Sequence, residues 1–253
     1  MAIPSSNRPP RAARADKQQR IQFFDLPAEI RLRIYELVLV QPSKTVDLDP
    51  ANYRLILPRL SCFLVCRRMH EEAYHVFYGT SYQPIRVFPV HGRFFHTKKP
   101  LLARMGPRYR RAINTLDLRL GPGWSAPPRC WHTGPALGLH DCHNVRALRI
   151  FIECDPSNDV FNGFRGKGND RDTYKLFCVQ ILKELFEQIP SLETVELDAY
   201  PAVSKEAPLV RGLVAEITNG RKRLVWGPMR GWDKDVDTGG LIGLEKAIAA
   251  MSI

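Results

Sequence analysis

The sequence lacks any apolar stretch of the length that a membrane-spanning helix requires. Its longest apolar segments, near residues 34–40 and 63–66, are short and flanked by charge, whereas a spanning helix needs about 18 consecutive apolar residues. The Arg-rich N-terminus also lacks the apolar core of a secretory signal. We therefore expect no membrane segment, and a cytoplasmic or nuclear location.

Cysteine is sparse, and basic residues outnumber acidic ones. The six cysteines include no CxxC pair, which argues against a disulfide framework in a chain of this length. The formal net charge of +11 favours nonspecific attraction to acidic partners or nucleic acid, but it does not define a fold. Hydrophobic residues make up 44% and charged residues 25% of the chain, which is the balance of an ordinary globular protein.

Sequence signatures of catalysis are missing as well. There is no GxSxG, HExxH or catalytic-cysteine motif. The glycine-rich segment 163–168 lacks the strand-then-helix context and the Lys-Ser/Thr ending of a phosphate-binding loop. The acidic pair Glu71-Glu72 falls on a predicted helix face, where solvation explains it. We expect no catalytic residue, no cofactor and no enzymatic activity.

Five potential zinc ligands occur close together, although their spacing matches no familiar finger or ribbon. Cysteine and neutral histidine are the ligand types that tetrahedral zinc prefers. The residues concerned are Cys130, His132, His140, Cys142 and His143. Because ligand type fits and spacing does not, we expect an ordinary loop with a partly buried cysteine, and no metal.

Composition and periodicity divide the chain into three parts. Residues 1–20 are basic and interrupted by proline, which predicts a disordered tail. An acid-poor, Arg-rich start also resembles a mitochondrial presequence, but these prolines oppose the helix that a presequence forms. Residues 21–82 predict a helical head, and residues 83–253 predict a body of strands and helices.

The first helix of the head opens at Leu26-Pro27, since a proline in the first turn removes no internal hydrogen bond. It ends near Val40, before Pro42. Helical spacing predicts one apolar stripe, with Arg31, Arg33 and Glu36 left for solvent. The stripe consists of Ile30, Ile34, Leu37 and Val38.

The remainder of the head predicts a loop and then a second helix. Residues 41–57 are rich in turn and breaker residues, so we expect a loop there. Apolar residues at helical spacing predict a helix from Pro58 to Tyr78, with Gly79 placed to cap its end.

Strands and helices alternate in the body. Runs typical of strands occur at residues 85–90, 113–120, 145–153, 192–197 and 223–226. Helical spacing occurs at residues 94–105, 174–189, 209–217 and 239–253. This alternation favours a mostly parallel sheet. We expect an α/β fold in which an N-terminal helical head precedes an irregular βα body.

Three of the strands share a phrase with apolar residues in its first, fourth and sixth places, starting at Ile113, Val145 and Leu192. The phrase resembles degenerate leucine-rich-repeat strands, although the spacing is uneven. Paired side by side, the strands would form a buried ladder of Leu116, Leu118, Leu148, Ile150, Val195 and Leu197. Successive strand residues alternate sides. The opposite face, our expected partner surface, would therefore carry Asp117, Arg149 and Glu196.

Two segments of the head resemble the F-box, and more narrowly the F-box-like proteins of filamentous fungi. The first is the phrase FDLPAEI at residues 24–30 followed by IYEL at residues 34–37, and the second is LVCRR at residues 64–68. Residues 72–78 and 105–116 also look like that class. The resemblance covers roughly the first half of the chain. The sequence departs from it at Met69, where many F-boxes have tryptophan, and in the long segment 41–57.

The resemblance implies that the head docks a Skp-type adaptor of a cullin-based (SCF-type) ubiquitin ligase, and that the chain recruits an unknown protein substrate. The docking residues that it implies are Leu26, Pro27, Ile30, Ile34, Leu64, Val65 and Cys66. An exposed apolar helical face suits docking into a partner groove. The same stripe also suits packing inside the protein's own core, and both interpretations stay open at this point.

Two further functions remain as alternatives. The chain fits an adaptor-independent binding protein, or a basic protein that binds nucleic acid. The second alternative requires the basic groups to gather on one face. These groups are Lys98-Lys99, Arg104, Arg108, Arg110-Arg111 and Arg221-Lys222-Arg223.

Overall fold

The structure, a computed structural model, describes residues 22–41, 44–90, 94–121, 127–162, 165 and 170–233. The described helices are α1 (Ala28–Leu39), α2 (Pro50–Ile56), α3 (Arg67–Gly79), α4 (Leu101–Arg104), α5 (Pro107–Ala112), α6 (Thr173–Gln188) and α7 (Pro208–Asn219). The strands are β1 (Ile85–Arg86), β2 (Thr115–Leu120), β3 (Ala147–Ile152), β4 (Thr194–Ala199) and β5 (Arg223–Trp226). Short 3₁₀ helices span Phe23–Asp25, Arg59–Leu64, Pro135–Leu137, Leu139–Asp141 and Asp159–Phe161.

The five strands form one parallel sheet in the order β1-β2-β3-β4-β5. The N-terminal helices precede this sheet, so the predicted α/β class, with a helical head before a parallel βα body, is confirmed. Within the described part of the chain, no helix combines the length and the apolar character needed to cross a membrane. The predicted helix 239–253 and residues 1–20 lie outside the described residues.

The predicted ladder is present in the register of β2, β3 and β4. Leu116 pairs with Leu148 and then Val195, and one step along the same face Leu118 pairs with Ile150 and then Leu197. All six side chains are buried. Leu182 and Leu185 of α6 are buried in the same core, and Phe186 packs against it. The alternation of strand side chains therefore places the Asp117, Arg149 and Glu196 row on the opposite face.

The predicted loop at residues 41–57 is wrong in its second half, where α2 forms. The Asp49 carboxylate accepts a hydrogen bond from the Ala51 amide, and Pro50 occupies the first helical position. These residue types break a helix interior but favour a helix start. The segment that reads as a polar loop therefore contains a capped helix of two turns.

The predicted helix from Pro58 to Tyr78 is also wrong, because it is two helices. A 3₁₀ helix, Arg59–Leu64, ends before Cys66, whose extended backbone (φ −160°, ψ 165°) interrupts the helical path. The Cys66 Sγ accepts a hydrogen bond from the Met69 amide at 3.4 Å and so caps α3. The chain turns at Val65-Cys66, and this turn presents Leu64 and Val65 outward.

The predicted helix at residues 94–105 is reduced to one turn, α4, which starts after Pro100 and ends before Gly106. The next helix, α5, begins at Pro107 and was not predicted. In contrast, α6 and α7 agree with their predicted spans. Their apolar residues recur at helical spacing over three turns or more, which is the pattern that a sequence reveals best.

Candidate protein-interaction surfaces

Helix α1 is fixed to α3 by a polar contact. Arg31 donates two hydrogen bonds to the Glu72 carboxylate, Nε to Oε2 at 2.9 Å and Nη2 to Oε1 at 2.7 Å. The Tyr35 hydroxyl donates to the same carboxylate at 3.2 Å. Arg31 is buried together with Tyr35 and Leu39. The prediction that Arg31 faces solvent is therefore wrong, because its charge is satisfied inside the head.

Because Arg31, Tyr35 and Leu39 form the buried side of α1, most of its predicted apolar stripe faces away from the core. Ile30 is 50% exposed, Leu37 68% and Val38 45%, while Ile34 is half-buried. The neighbouring Leu32 is also exposed. Of the two interpretations that the sequence left open, packing into the core is not seen for Ile30, Leu37 and Val38 within the described part of the chain.

The turn before α3 exposes a second apolar group. Leu64 is 87% exposed and Val65 66%, and Cys66 is exposed as well. Phe63 anchors the turn from inside, because its ring packs edge-on against Phe77 and its carbonyl oxygen accepts a hydrogen bond from the Nδ1 of His70. One side of the 3₁₀ helix is thereby fixed to α3, and Leu64 and Val65 remain in solvent.

The two apolar groups lie on adjoining elements. Arg59 donates a hydrogen bond at 3.2 Å to the Val38 carbonyl, which ties the 3₁₀ helix to the end of α1. In the first turn of α3, Arg68 pairs with Glu72 and lies over the ring of Phe24, which precedes α1. We define the head apolar surface as Leu26, Pro27, Ile30, Ile34, Leu37, Val38, Leu64, Val65 and Cys66. All of these residues are exposed except Leu26 and Ile34, which are half-buried.

The sheet carries a second candidate surface on the side away from its buried ladder. Arg149 and Glu196 lie opposite each other on β3 and β4 and form an ion pair at 3.2 Å, with each side chain about one third exposed (34% and 32%). Val225 on β5 lies in register with Glu196 and is also exposed. Arg149 and Glu196 therefore lie on the predicted face of the sheet, and their role as partner contacts stays a prediction.

Asp117 belongs to the same row but is buried, so its prediction as a partner-contacting residue is wrong. Arg86 of β1 pairs with Asp117 at 3.0 Å and with Asp47 at 3.7 Å. Burial raises the pKa of Asp117, and the Arg86 charge acts against that rise. Of the predicted strand 85–90, residues Ile85–Arg86 form β1. This short strand and the Val46 bridge to Ile85 cover this edge of the sheet, and the sequence did not indicate that Asp117 would be enclosed there.

An aromatic cluster beside this row was not predicted. Arg119 lies over the Phe151 ring, with 5.1 Å between the guanidinium carbon and the ring centroid, and it donates a hydrogen bond to the Tyr200 hydroxyl at 3.1 Å. Phe151 and Tyr200 pack edge-on. The sequence signal for this cluster is Phe151, an aromatic residue directly after the buried Ile150 and therefore on the opposite face of β3. We define the open sheet face as Arg119, Arg149, Phe151, Glu196, Tyr200 and Val225.

The basic groups include members at opposite edges of the sheet, and four of the nine side chains make hydrogen bonds or ion pairs with described residues. Helix α4 contacts β1, whereas residues 221–223 lead into β5, and these strands are the two edges. Arg110 pairs with Asp141 at 2.6 Å and Arg108 with Glu71 at 2.8 Å. This distribution gives no support to a single nucleic-acid surface.

The potential zinc ligands do not converge. Cys130 donates a hydrogen bond to the Phe95 carbonyl, while Cys142 is buried and burial raises its pKa to about 12. The three histidines of the cluster are exposed. Throughout the described ranges, no group of three or more His, Cys, Asp or Glu side chains is placed to hold a metal ion. Most of the glycine-rich segment 163–168 lies outside those ranges.

Comparison of the chain with protein-family models, with curated proteins and with solved structures gave no match in any of the three searches. Function is therefore inferred from the head apolar surface and the open sheet face.

Proposed function

We propose that this chain is a non-enzymatic protein-interaction module of the F-box-like type. Its head docks a Skp-type adaptor, and its open sheet face holds a protein substrate for a cullin-based ubiquitin ligase in the cytoplasm or nucleus. One observation carries the proposal: the residues that the F-box resemblance marks for docking are predominantly exposed, although most are apolar.

Exposure of this kind is unfavourable unless a partner covers it. Complete burial of one leucine, isoleucine or valine side chain contributes about 1.5–3 kcal/mol. Large exposed apolar patches on soluble proteins commonly mark interaction sites. A helix that presents such residues about one turn apart suits a hydrophobic groove on a partner. Ile30, Ile34 and Leu37 of α1 have this spacing.

The two departures from the usual F-box pattern fall away from the head apolar surface. Met69 is half-buried and packs against the core, so it contributes to the fold of the head. The long segment 41–57 forms α2, in which Ile56 is buried. Met69 and the described residues of segment 41–57 leave the exposed side of α1 and the Leu64-Val65 turn uncovered.

The open sheet face suits the substrate-binding role. It combines exposed charges of both signs with the aromatic pair Phe151 and Tyr200. Aromatic side chains supply much of the binding energy in protein interfaces. Charged residues around them select a partner of complementary charge. The face lies on the sheet, whereas the head apolar surface lies on α1 and the Leu64-Val65 turn, so adaptor and substrate would occupy different surfaces.

The test is direct binding of a purified Skp-type adaptor, measured by titration calorimetry. We expect the wild-type chain to bind, and Leu64→Asp or Leu37→Asp to weaken binding about tenfold or more, because the charge replaces a buried contact. Leu176→Asp is the matched control, since Leu176 of α6 is 61% exposed and lies far from the head in the chain.

Melting curves would show that the variants stay folded. Absence of binding by the wild-type chain would refute adaptor docking. Equal weakening by Leu176→Asp and Leu64→Asp would show that the head apolar surface is not the docking site. Capture of a substrate without any adaptor would instead favour an adaptor-independent binding protein.

A further inference from the structure

A cavity of 580 Å³ lies between α2, the Arg59–Leu64 3₁₀ helix, α3 and the first turn of α4. Its floor is formed by Val46, Ile56 and Phe77, all of which are buried. Leu48 and Tyr53 stand nearer the solvent. The volume and the mostly apolar lining of this cavity are typical of a small-molecule site, which usually measures about 300–1,000 Å³.

The wall formed by residues 45–54 is braced by its own hydrogen bonds. The Asn52 side-chain amide donates to the Thr45 carbonyl and, at 3.0 Å, to Oδ1 of Asp47. The same Asp47 oxygen accepts from the Asp49 amide, and Asp49 caps α2. Because these contacts are made within the chain itself, they hold this wall in shape, and binding requires little reordering of it.

The polar groups around the cavity favour a negatively charged ligand. Asp47 lines the cavity, but its carboxylate lies 3.7 Å from Arg86, which offsets its charge. Arg54 also lines the cavity and, among the described residues, has no hydrogen-bond or ion-pair partner. Among the described residues that line the cavity, Arg54 is therefore the uncompensated cation, and an arginine fork suits a carboxylate.

Tyr78 adds a second donor. It lines the cavity, and its hydroxyl makes no hydrogen bond to another described residue. Burial raises the pKa of Tyr78 to about 12, so the hydroxyl keeps its proton at neutral pH. A protonated hydroxyl can donate a hydrogen bond to a carboxylate oxygen.

We infer that this cavity binds a small amphipathic carboxylic acid. The aliphatic or aromatic part of the ligand lies on Val46, Ile56 and Phe77, and its carboxylate is held by Arg54. The inference does not depend on the adaptor-docking role, since none of the residues of the head apolar surface lines the cavity.

The experiment compares octanoate with 1-octanol by titration calorimetry on the full chain. The two probes share their apolar part and differ in charge. We expect saturable 1:1 binding of octanoate with a Kd of about 1 mM or tighter, the range usual for a ligand of this size. Leu48→Trp, which adds bulk to the wall, should abolish binding of both probes.

Arg54→Gln separates charge from volume. It should weaken octanoate about three- to fivefold, the effect of one partly exposed ion pair, and leave octanol unchanged. Arg211→Gln, at an exposed position of α7 that does not line the cavity, is the matched control and should alter neither affinity.

Three results would overturn the inference. The first is no saturable binding of octanoate by the wild-type chain. The second is binding that persists in Leu48→Trp, which would place the probe elsewhere, for example on the head apolar surface. The third is an equal response of octanol and octanoate to Arg54→Gln, which would exclude carboxylate recognition by that residue.

Discussion

Arg31 and Glu72 lie 41 residues apart in the chain and form a two-pronged ion pair that joins α1 to α3. Tyr35 and Arg68 contact the same carboxylate. The carboxylate therefore orients α1 with Tyr35 and Leu39 inward and Ile30 and Leu37 outward. A polar contact, rather than the apolar stripe, decides which side of this helix is available to a partner.

Glu72→Gln should lower the midpoint of thermal unfolding by several degrees, because it leaves the buried Arg31 without its charged partner. Glu36→Gln is the matched control. Glu36 pairs with Arg33, but both side chains are about half or more exposed, and exposed pairs contribute little. We expect the control to shift the midpoint by no more than about 1 °C. Similar shifts for the two variants would contradict the structural importance of the Arg31–Glu72 pair.

The same pair predicts a loss of stability in acid. The Arg31 guanidinium, as the main cause, lowers the pKa of Glu72 from 4.5 to about 2. A carboxyl group with a lowered pKa stabilises the fold above its unfolded-state pKa, and this contribution is lost as the pH falls from 4.5 toward 2. Urea unfolding at pH 6 and at pH 2 should show a stability gap between wild type and Glu72→Gln that closes at the lower pH. An unchanged gap would contradict the assignment.

Truncating a side chain of the buried ladder should lower the stability of the fold strongly, whereas substitutions on the opposite face of the sheet should change it little. Leu148→Ala or Val195→Ala should lower the free energy of unfolding by about 2–4 kcal/mol, through lost burial and an unfilled cavity. Arg149→Gln should change it by no more than about 0.5–1 kcal/mol, since the Arg149–Glu196 pair is partly exposed, while weakening substrate binding. Chemical denaturation would measure both. The reverse ranking would mean that the register is wrong.

Gly227 should not tolerate a side chain. A Cβ atom at this position would lie 2.3 Å from Cβ of Asp198, whose carboxylate accepts hydrogen bonds from the Met229 and Arg230 amides. Gly227→Ala should therefore destabilise the protein by about 1–3 kcal/mol. Gly134→Ala is the matched control, because its Cβ would meet no atom within 4 Å. A melting midpoint lowered equally by both variants would contradict this packing argument.

The sheet was predictable because the alternation of apolar and charged residues along each strand shows which side chains are buried. Side chains alternate between two faces, so an apolar residue at Leu148 and a charged one at Arg149 fix which face is buried. Once three strands carry the same phrase, their register follows. The burial of Asp117 was not predictable, because it depends on Arg86 and Asp47, which approach from a short edge strand and the segment before it.

The head was less predictable, for two physical reasons. By residue type alone, a proline is compatible with a loop as well as with a helix start, and both Pro50 and Pro107 occupy the first turn of a helix, where the missing amide has no cost. The inward side of α1 depends on Arg31, which a hydrophobic pattern assigns to solvent. The buried guanidinium is satisfied by its long-range partner Glu72 and by the Leu26 carbonyl.

The consecutive order of the strands has a consequence for how the protein is made. Each strand pairs with the strand that precedes it in the chain, so during synthesis a newly emerged strand finds its neighbour already present. Stacks of this kind extend by nearest-neighbour contacts, and N-terminal parts of a chain generally fold first on the ribosome. The body can therefore be completed strand by strand from β1, with β5 added last.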